Sequence, residues 1–143
     1  MKTKLYSGVS VVLAILLVFC FASCGKKVDK TGLWEQATYL SDTTLGKGAK
    51  TVSVEVKAED QSVLFTVKTD EKTVGAALLA VDLIAGDNSA YGLYVKKVNG
   101  ITADYDTDKA YWAFYLNGEY ASTGVDSTDI DENVKYSLVY TKG

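Results

Sequence analysis

Two stretches of strictly alternating side chains constrain the fold of this chain more than any other sequence feature. From Thr51 to Lys57, valines alternate with polar residues, and a second apolar alternation runs from Val63 to Thr69 after a polar turn. A period of two with β-branched side chains is typical of a strand that is buried on one face. The two stretches therefore predict an antiparallel β-hairpin.

The pattern changes to a helical period between Thr73 and Ala85. The apolar side chains now form one narrow stripe, which consists of Val74, Ala77, Leu78, Val81 and Ile84. Thr73 is suited to cap the N-terminus of a helix, and Gly86 is suited to end it. The stripe predicts a helix of about three turns that packs across one face of a sheet.

The second half of the chain is rich in strand and turn signals. Two Asn-Gly pairs, at 99–100 and 117–118, can supply the two positive φ angles of a type I′ hairpin turn. Residues 87–92 are predicted to be a loop, and the predicted strands are Leu93 to Val98, Ile101 to Tyr105, Tyr111 to Leu116 and Lys135 to Tyr140. This order of elements predicts an α+β fold of β-grasp type, in which one helix packs across one face of a mixed sheet.

The N-terminus has the layout of a secretory signal. Lys2 and Lys4 precede an apolar run from Val9 to Phe21, and small residues follow it. The run is shorter than the ~20 apolar residues that a membrane-spanning helix needs. We therefore predict a signal peptide over residues 1–23.

The residues that end this signal, Ala22-Ser23-Cys24-Gly25, resemble a bacterial lipobox. The resemblance implies that Cys24 becomes the first mature residue and carries a lipid, which would hold the protein at the cell membrane on its extracytoplasmic side. An ordinary secretory signal cut near the same place is the alternative, and it would leave Cys24 as a free thiol.

Residues 24–48 are predicted to be the lipidated cysteine and a polar tether. Lys26, Lys27 and Lys30 would add electrostatic attraction to a membrane surface. The large apolar body of Trp34 would gain by docking, so the tether is expected to become ordered near this residue. The domain itself is predicted to span residues 49–143.

Composition narrows the classes of function. The chain has no histidine, which removes the commonest general base and metal ligand, and Cys20 and Cys24 are its only cysteines. No nucleophile elbow, phosphate loop or zinc spacing is present. A net charge of −3 does not favour nucleic acid as a partner. The sequence thus predicts a binding or structural protein rather than an enzyme, with no cofactor and no metal site.

One acidic segment has the spacing that opens a calcium loop. Asp104, Asp106 and Asp108 alternate, but Lys109 stands where an EF-hand has Gly and Tyr115 stands where it has Glu. The segment is therefore not an EF-hand. A solvated acidic turn is predicted, and weak calcium binding is the alternative.

The aromatic stretch from Tyr111 to Gly124 is the main candidate for function. On a strand, Trp112, Phe114 and Leu116 point to one side, which we expect to be the core, while Tyr111 and Tyr115 point to the other. Tyr111, Tyr115 and Tyr120 either form cross-strand pairs that stabilise the sheet or present an exposed recognition surface.

The chain also resembles the C-terminal domain of the transcobalamin and intrinsic-factor family over residues 51–142. The shared features are Tyr111-Trp112-Ala113-Phe114, the loop that ends at Gly124-Val125, the acidic turn before Tyr136, the helix from Thr73 and the strand at Tyr91-Gly92-Leu93-Tyr94. The resemblance implies a β-grasp fold, and in the vertebrate carriers this domain covers one face of cobalamin.

This resemblance implies a candidate ligand site around the hairpin turn and the loop that follows it. The residues of the candidate site are Tyr111, Tyr115, Asn117, Tyr120, Ala121, Ser122, Thr123 and Gly124. A corrinoid-like small molecule is the partner that the resemblance implies. A structural or interaction module that contacts a surface protein or cell-wall polymer is the alternative. A pocket beside the loop would favour the first hypothesis, and a flat aromatic patch would favour the second.

Overall fold

The two alternating stretches form a hairpin in the middle of a six-stranded sheet. In the computed structural model, which describes residues 27–143, β2 (Lys50–Ala58) pairs antiparallel with β3 (Gln61–Thr69). Their alternate valines are fully buried. The antiparallel pairing confirms the predicted hairpin. One face of each strand lies against the core and the other does not, as the alternation predicts.

The described residues form two sheets. The larger has the strand order β1-β3-β2-β9-β7-β8 and the smaller has the order β4-β5-β6. The remaining strands are β1 (Thr43–Gly46), β4 (Ile84–Ser89), β5 (Gly92–Val98), β6 (Ile101–Thr102), β7 (Ala110–Leu116), β8 (Glu119–Tyr120) and β9 (Lys135–Lys142). Two pairs, β1 with β3 and β2 with β9, are parallel, and the other pairs are antiparallel. The large sheet is therefore mixed, as predicted for an α+β fold of β-grasp type.

The main helix is shorter than its stripe predicts. Helix α1 (Val74–Ala80) begins at the predicted cap, since the Thr73 hydroxyl accepts the Ala76 N–H at 3.2 Å. It ends five residues early, and Asp82 follows with a φ of 56°. Ile84 is the first residue of β4 and is buried as part of that strand. It matches the helical stripe only because of its spacing in the sequence.

Gly86 does not end the helix as the sequence predicts, but lies in β4. The second half of this strand falls in the predicted loop. The register of β4 against β5 shifts between Ala85 and Gly86, which marks a β-bulge. A Cβ at Gly86 would collide with the carbonyl oxygen of Tyr94. Glycine is thus needed here for close approach of two backbones, and the predicted loop over residues 87–92 is wrong because β4 extends to Ser89.

The two Asn-Gly pairs form the predicted turns. The φ angles are 50° and 82° at Asn99 and Gly100, and 48° and 83° at Asn117 and Gly118. The strand after the first turn is shorter than predicted, however. Tyr105 begins the single-turn helix α2 (Tyr105–Asp108), because the Asp104 carboxylate caps this turn by accepting the Asp106 N–H at 3.0 Å.

The segment predicted to be a tether takes part in the fold from residue 27 onward. It contains a 3₁₀ turn (Gly32–Gln36) and the strand β1. Trp34 is 0% exposed, and its indole N–H donates to the Ala58 carbonyl at 2.9 Å. The indole therefore belongs to the core that fills the space between the large sheet, α1 and the small sheet.

The predicted signal peptide and Cys24 lie outside the described residues. Among residues 27–143, no helix is long and apolar enough to cross a membrane.

Candidate functional site

The strand β7 presents different aromatic residues to its two sides. Trp112 and Phe114 are buried, and the ring of Phe114 stacks on that of Tyr136 with centroids 5.8 Å apart. The prediction that these two residues belong to the core is confirmed. Tyr111 and Tyr115 alternate with them and are half-buried on the opposite side of the sheet.

Tyr111, Tyr115 and Tyr120 come together on this outer side, and we call them the tyrosine cluster. Tyr115 faces Tyr120 across the β7–β8 hairpin, and their rings make an edge-to-face contact at 5.4 Å. Ala113, between the two β7 tyrosines on the same side, is 1% exposed, so neighbouring side chains cover it. Tyr120 is 62% exposed. Tyr115 and Tyr120 thus pack against each other, and Tyr111 lies on the same side of β7.

The outer side of the sheet continues from the cluster as a polar surface. The register places Thr141, Val139 and Ser137 of β9 beside Tyr111, Ala113 and Tyr115, respectively. Beyond β9, Lys57 and Glu55 of β2 lie next to Val139 and Ser137. Because α1 and the small sheet pack on the other side, no described element covers the tyrosine cluster. It is an open aromatic patch on the outer side of the sheet.

The other predicted site residues do not join this patch. Asn117 holds the hairpin turn, since its backbone N–H donates to the Lys135 carbonyl at 2.8 Å and its side-chain Oδ1 accepts the Lys135 N–H at 2.9 Å. Ala121 donates its N–H to Phe114 and packs against the core. Both of these residues have structural contacts that explain their position.

The rest of the predicted loop turns toward α1. Ser122, Thr123 and Gly124 are exposed. The Thr128 hydroxyl lies 3.0 Å from that of Thr123 and donates to the Gly124 carbonyl at 2.8 Å. The carbonyl of Thr128 in turn accepts the first N–H of α1, from Val74. The structure thus ties this loop to the helix and leaves the three tyrosines together.

The hydroxyl groups of the cluster influence each other. A hydrogen bond with Tyr120 raises the pKa of Tyr111 above its ordinary value, and desolvation and the charge of Tyr120 add to the effect. We expect Tyr120→Phe to lower the pKa of Tyr111 toward the ordinary value of a tyrosine. Phenolate absorbance in an alkaline titration, with Tyr111→Phe used to assign the signal, would measure this. An unchanged pKa would show that the two hydroxyl groups do not interact.

The small sheet carries a groove that is not apparent from the sequence. It encloses about 360 Å³ and is lined by Asp87, Ser89, Tyr94, Lys96, Asp104, Tyr105 and Asp106. Tyr94 and Lys96 alternate on β5, which is a local signal that they share a side. Asp87 and Asp104 are brought to them only by the pairing of β4 with β5 and by the turn after β6.

The acidic turn beside this groove is held by its own backbone. Asp104 accepts the Asp106 N–H, and Asp108 accepts the Asp104 N–H, each at 3.0 Å. Within residues 27–143, no group of three or more His, Cys, Asp or Glu side chains is placed to hold a metal ion. The contacts are those of the predicted acidic turn.

Together, these features define a β-grasp-like domain with an open aromatic sheet face. The chain belongs to the family described as domain of unknown function (DUF4430), whose model matches residues 71–142. No curated protein matches the sequence.

Solved structures show the same fold. A candidate metal-binding protein from Ruminococcus gnavus is 29% identical, with a TM-score of 0.62, over 66% of this chain and 99% of that one. Haptocorrin in complex with cobinamide is 18% identical, with a TM-score of 0.51, over 65% of this chain and 25% of haptocorrin. The matched part of this chain thus spans a quarter of the length of haptocorrin, and the resemblance to the transcobalamin family is confirmed for the fold alone.

Proposed function

We propose that this protein is a lipid-anchored extracytoplasmic domain that binds a ligand non-covalently through the tyrosine cluster. The observation that carries the proposal is the contact of Tyr115 with Tyr120, beside Tyr111, on a sheet face that no described element covers. Tyrosines supply large, rigid contact area with a polar tip, and they are enriched among the residues that dominate binding. Binding requires no chemical conversion of the ligand.

A cobalamin-type molecule is the first ligand to test. The fold is shared with haptocorrin, which was solved in complex with cobinamide, and a corrin offers a broad face that aromatic side chains can contact. We expect cyanocobalamin, titrated into the purified protein, to change its visible spectrum and release heat. If high micromolar cyanocobalamin produced neither a spectral change nor heat, the corrinoid ligand would be excluded.

A second candidate function is an interaction with a surface protein or cell-wall polymer. It is favoured by the position of the Ala121 to Gly124 loop, which turns toward α1 instead of enclosing the tyrosines and so leaves the patch open. Co-sedimentation of the protein with purified cell walls tests this function. Sedimentation of the wild type that is lost when Tyr115 and Tyr120 are replaced would support this function. A wild-type protein that stays in the supernatant would count against a cell-wall polymer.

The membrane anchor has its own test. Cys24→Ser should release the protein into the medium, because the lipid is attached to this thiol in the proposed mature form. The matched control is Cys20→Ser, which lies within the predicted signal and should leave the protein in the membrane fraction. Unchanged membrane retention of Cys24→Ser, measured by fractionation and immunoblotting, would refute the lipobox hypothesis.

A further inference from the structure

The groove on the small sheet combines aromatic rings with an excess of negative charge. Tyr94 and Tyr105 are 40% and 47% exposed, so both rings are accessible to a ligand in the groove. Three carboxylates and one ammonium group line the groove. Its volume of about 360 Å³ is within the range of small-molecule sites. Neither the tyrosine cluster nor the predicted loop contributes to it.

The groove already holds one ammonium group of the protein itself. The Lys96 Nζ lies 2.9 Å from the Asp87 carboxylate and 6.0 Å from the centre of the Tyr94 ring. Asp87 and, to a smaller extent, Asp104 raise the pKa of Lys96. The surroundings therefore stabilise positive charge by two means, carboxylates and the electron-rich face of an aromatic ring.

A second tyrosine and a second carboxylate, Tyr105 and Asp106, also line the groove. The Tyr105 ring has the Lys109 Nζ 5.7 Å from its centre, so this ring also attracts an ammonium group. Asp106 contributes its backbone N–H to the acidic turn but not its carboxylate, whereas Asp104 and Asp108 each accept a backbone N–H. Three carboxylates thus line the groove against the single ammonium group of Lys96, and within residues 27–143 no hydrogen bond or ion pair engages the carboxylate of Asp106.

We propose that this groove binds a small organic cation with an alkylammonium group, held between the tyrosine rings and the aspartates. Calcium is a poorer fit because it takes six to eight oxygen ligands, and two of the nearby carboxylates already accept backbone N–H groups. The proposal goes beyond the proposed function, since it concerns a separate site on the other sheet.

The test compares choline with its neutral isostere, in which carbon replaces the quaternary nitrogen. Both are titrated into the full-length protein at constant ionic strength and followed by calorimetry and by the amide NMR shifts of the groove residues. We expect saturable choline binding in the millimolar range and none for the isostere. Tyr105→Leu and Asp106→Asn should each weaken choline binding by about twofold to fivefold, the size of an exposed cation–π or surface charge contribution.

Tyr91→Leu is the matched control, because Tyr91 is 96% exposed and does not line the groove. It should bind choline like the wild type. Thermal unfolding would verify that all three variants are folded. Equal binding of choline and the isostere, no saturation at tens of millimolar, or undiminished binding by Tyr105→Leu and Asp106→Asn would each overturn the proposal.

Discussion

Replacing Trp34 with alanine is expected to lower the free energy of unfolding by about 3–5 kcal/mol. The indole is fully buried, and it is the largest such side chain of the described residues. The substitution would leave a cavity and would also remove the hydrogen bond to the Ala58 carbonyl, which would then lie buried without this donor. Urea denaturation followed by circular dichroism measures the loss.

Two further variants make this result interpretable. Tyr91→Ala removes an aromatic side chain that is almost fully exposed and should change the free energy of unfolding by less than about 0.5 kcal/mol. Trp34→Phe keeps most of the ring and should fall between the wild type and Trp34→Ala. A loss below about 1 kcal/mol for Trp34→Ala would mean that residues 27–48 do not unfold with the rest of the fold.

The double substitution Tyr115→Ala/Tyr120→Ala is expected to weaken ligand binding by about 100-fold or more. Residues that dominate an interface contribute about 2 kcal/mol or more each, and this pair combines the exposed ring of Tyr120 with the half-buried ring that it contacts. The cost to folding should be small, about 1 kcal/mol for the aromatic pair, because neither side chain is in the core. The assay is the one that detects a ligand for the wild type, either the cyanocobalamin titration or sedimentation with cell walls.

Conservative variants separate the ring from the hydroxyl group at these positions. Tyr115→Phe/Tyr120→Phe keeps the flat area and should retain most of the affinity if stacking dominates. Tyr91→Ala again serves as the control for an unrelated exposed tyrosine. Wild-type affinity in a folded Tyr115→Ala/Tyr120→Ala variant would exclude the tyrosine cluster as the ligand site.

Patterns that depend on neighbours in the sequence predicted the structure well. The alternation in β2 and β3 depends on the direction of successive side chains, and the Asn-Gly turns depend on two adjacent φ angles. The end of α1 was not predictable in this way. Ile84 continues the apolar stripe, although it belongs to a strand, because a short apolar run fits either period.

The same distinction between local patterns and distant contacts applies to the candidate site. Alternation alone separates Tyr111 and Tyr115 from Trp112 and Phe114, and the structure agrees. The loop after Tyr120 was assigned by family resemblance, and its direction depends on the contact between Thr128 and the start of α1. That contact joins residues more than fifty positions apart, so no local pattern contains it.

The sequence by itself determined the α+β class, the central hairpin, the turns and which aromatics of β7 face outward. Each of these follows from local side-chain direction and backbone preference. Only the tertiary structure decided that the Trp34 indole bonds to Ala58, that the loop after Tyr120 turns toward α1, and that a groove combines tyrosines with aspartates. These arrangements arise from pairing and packing between distant segments, whose relative positions depend on the whole buried surface rather than on any one stretch.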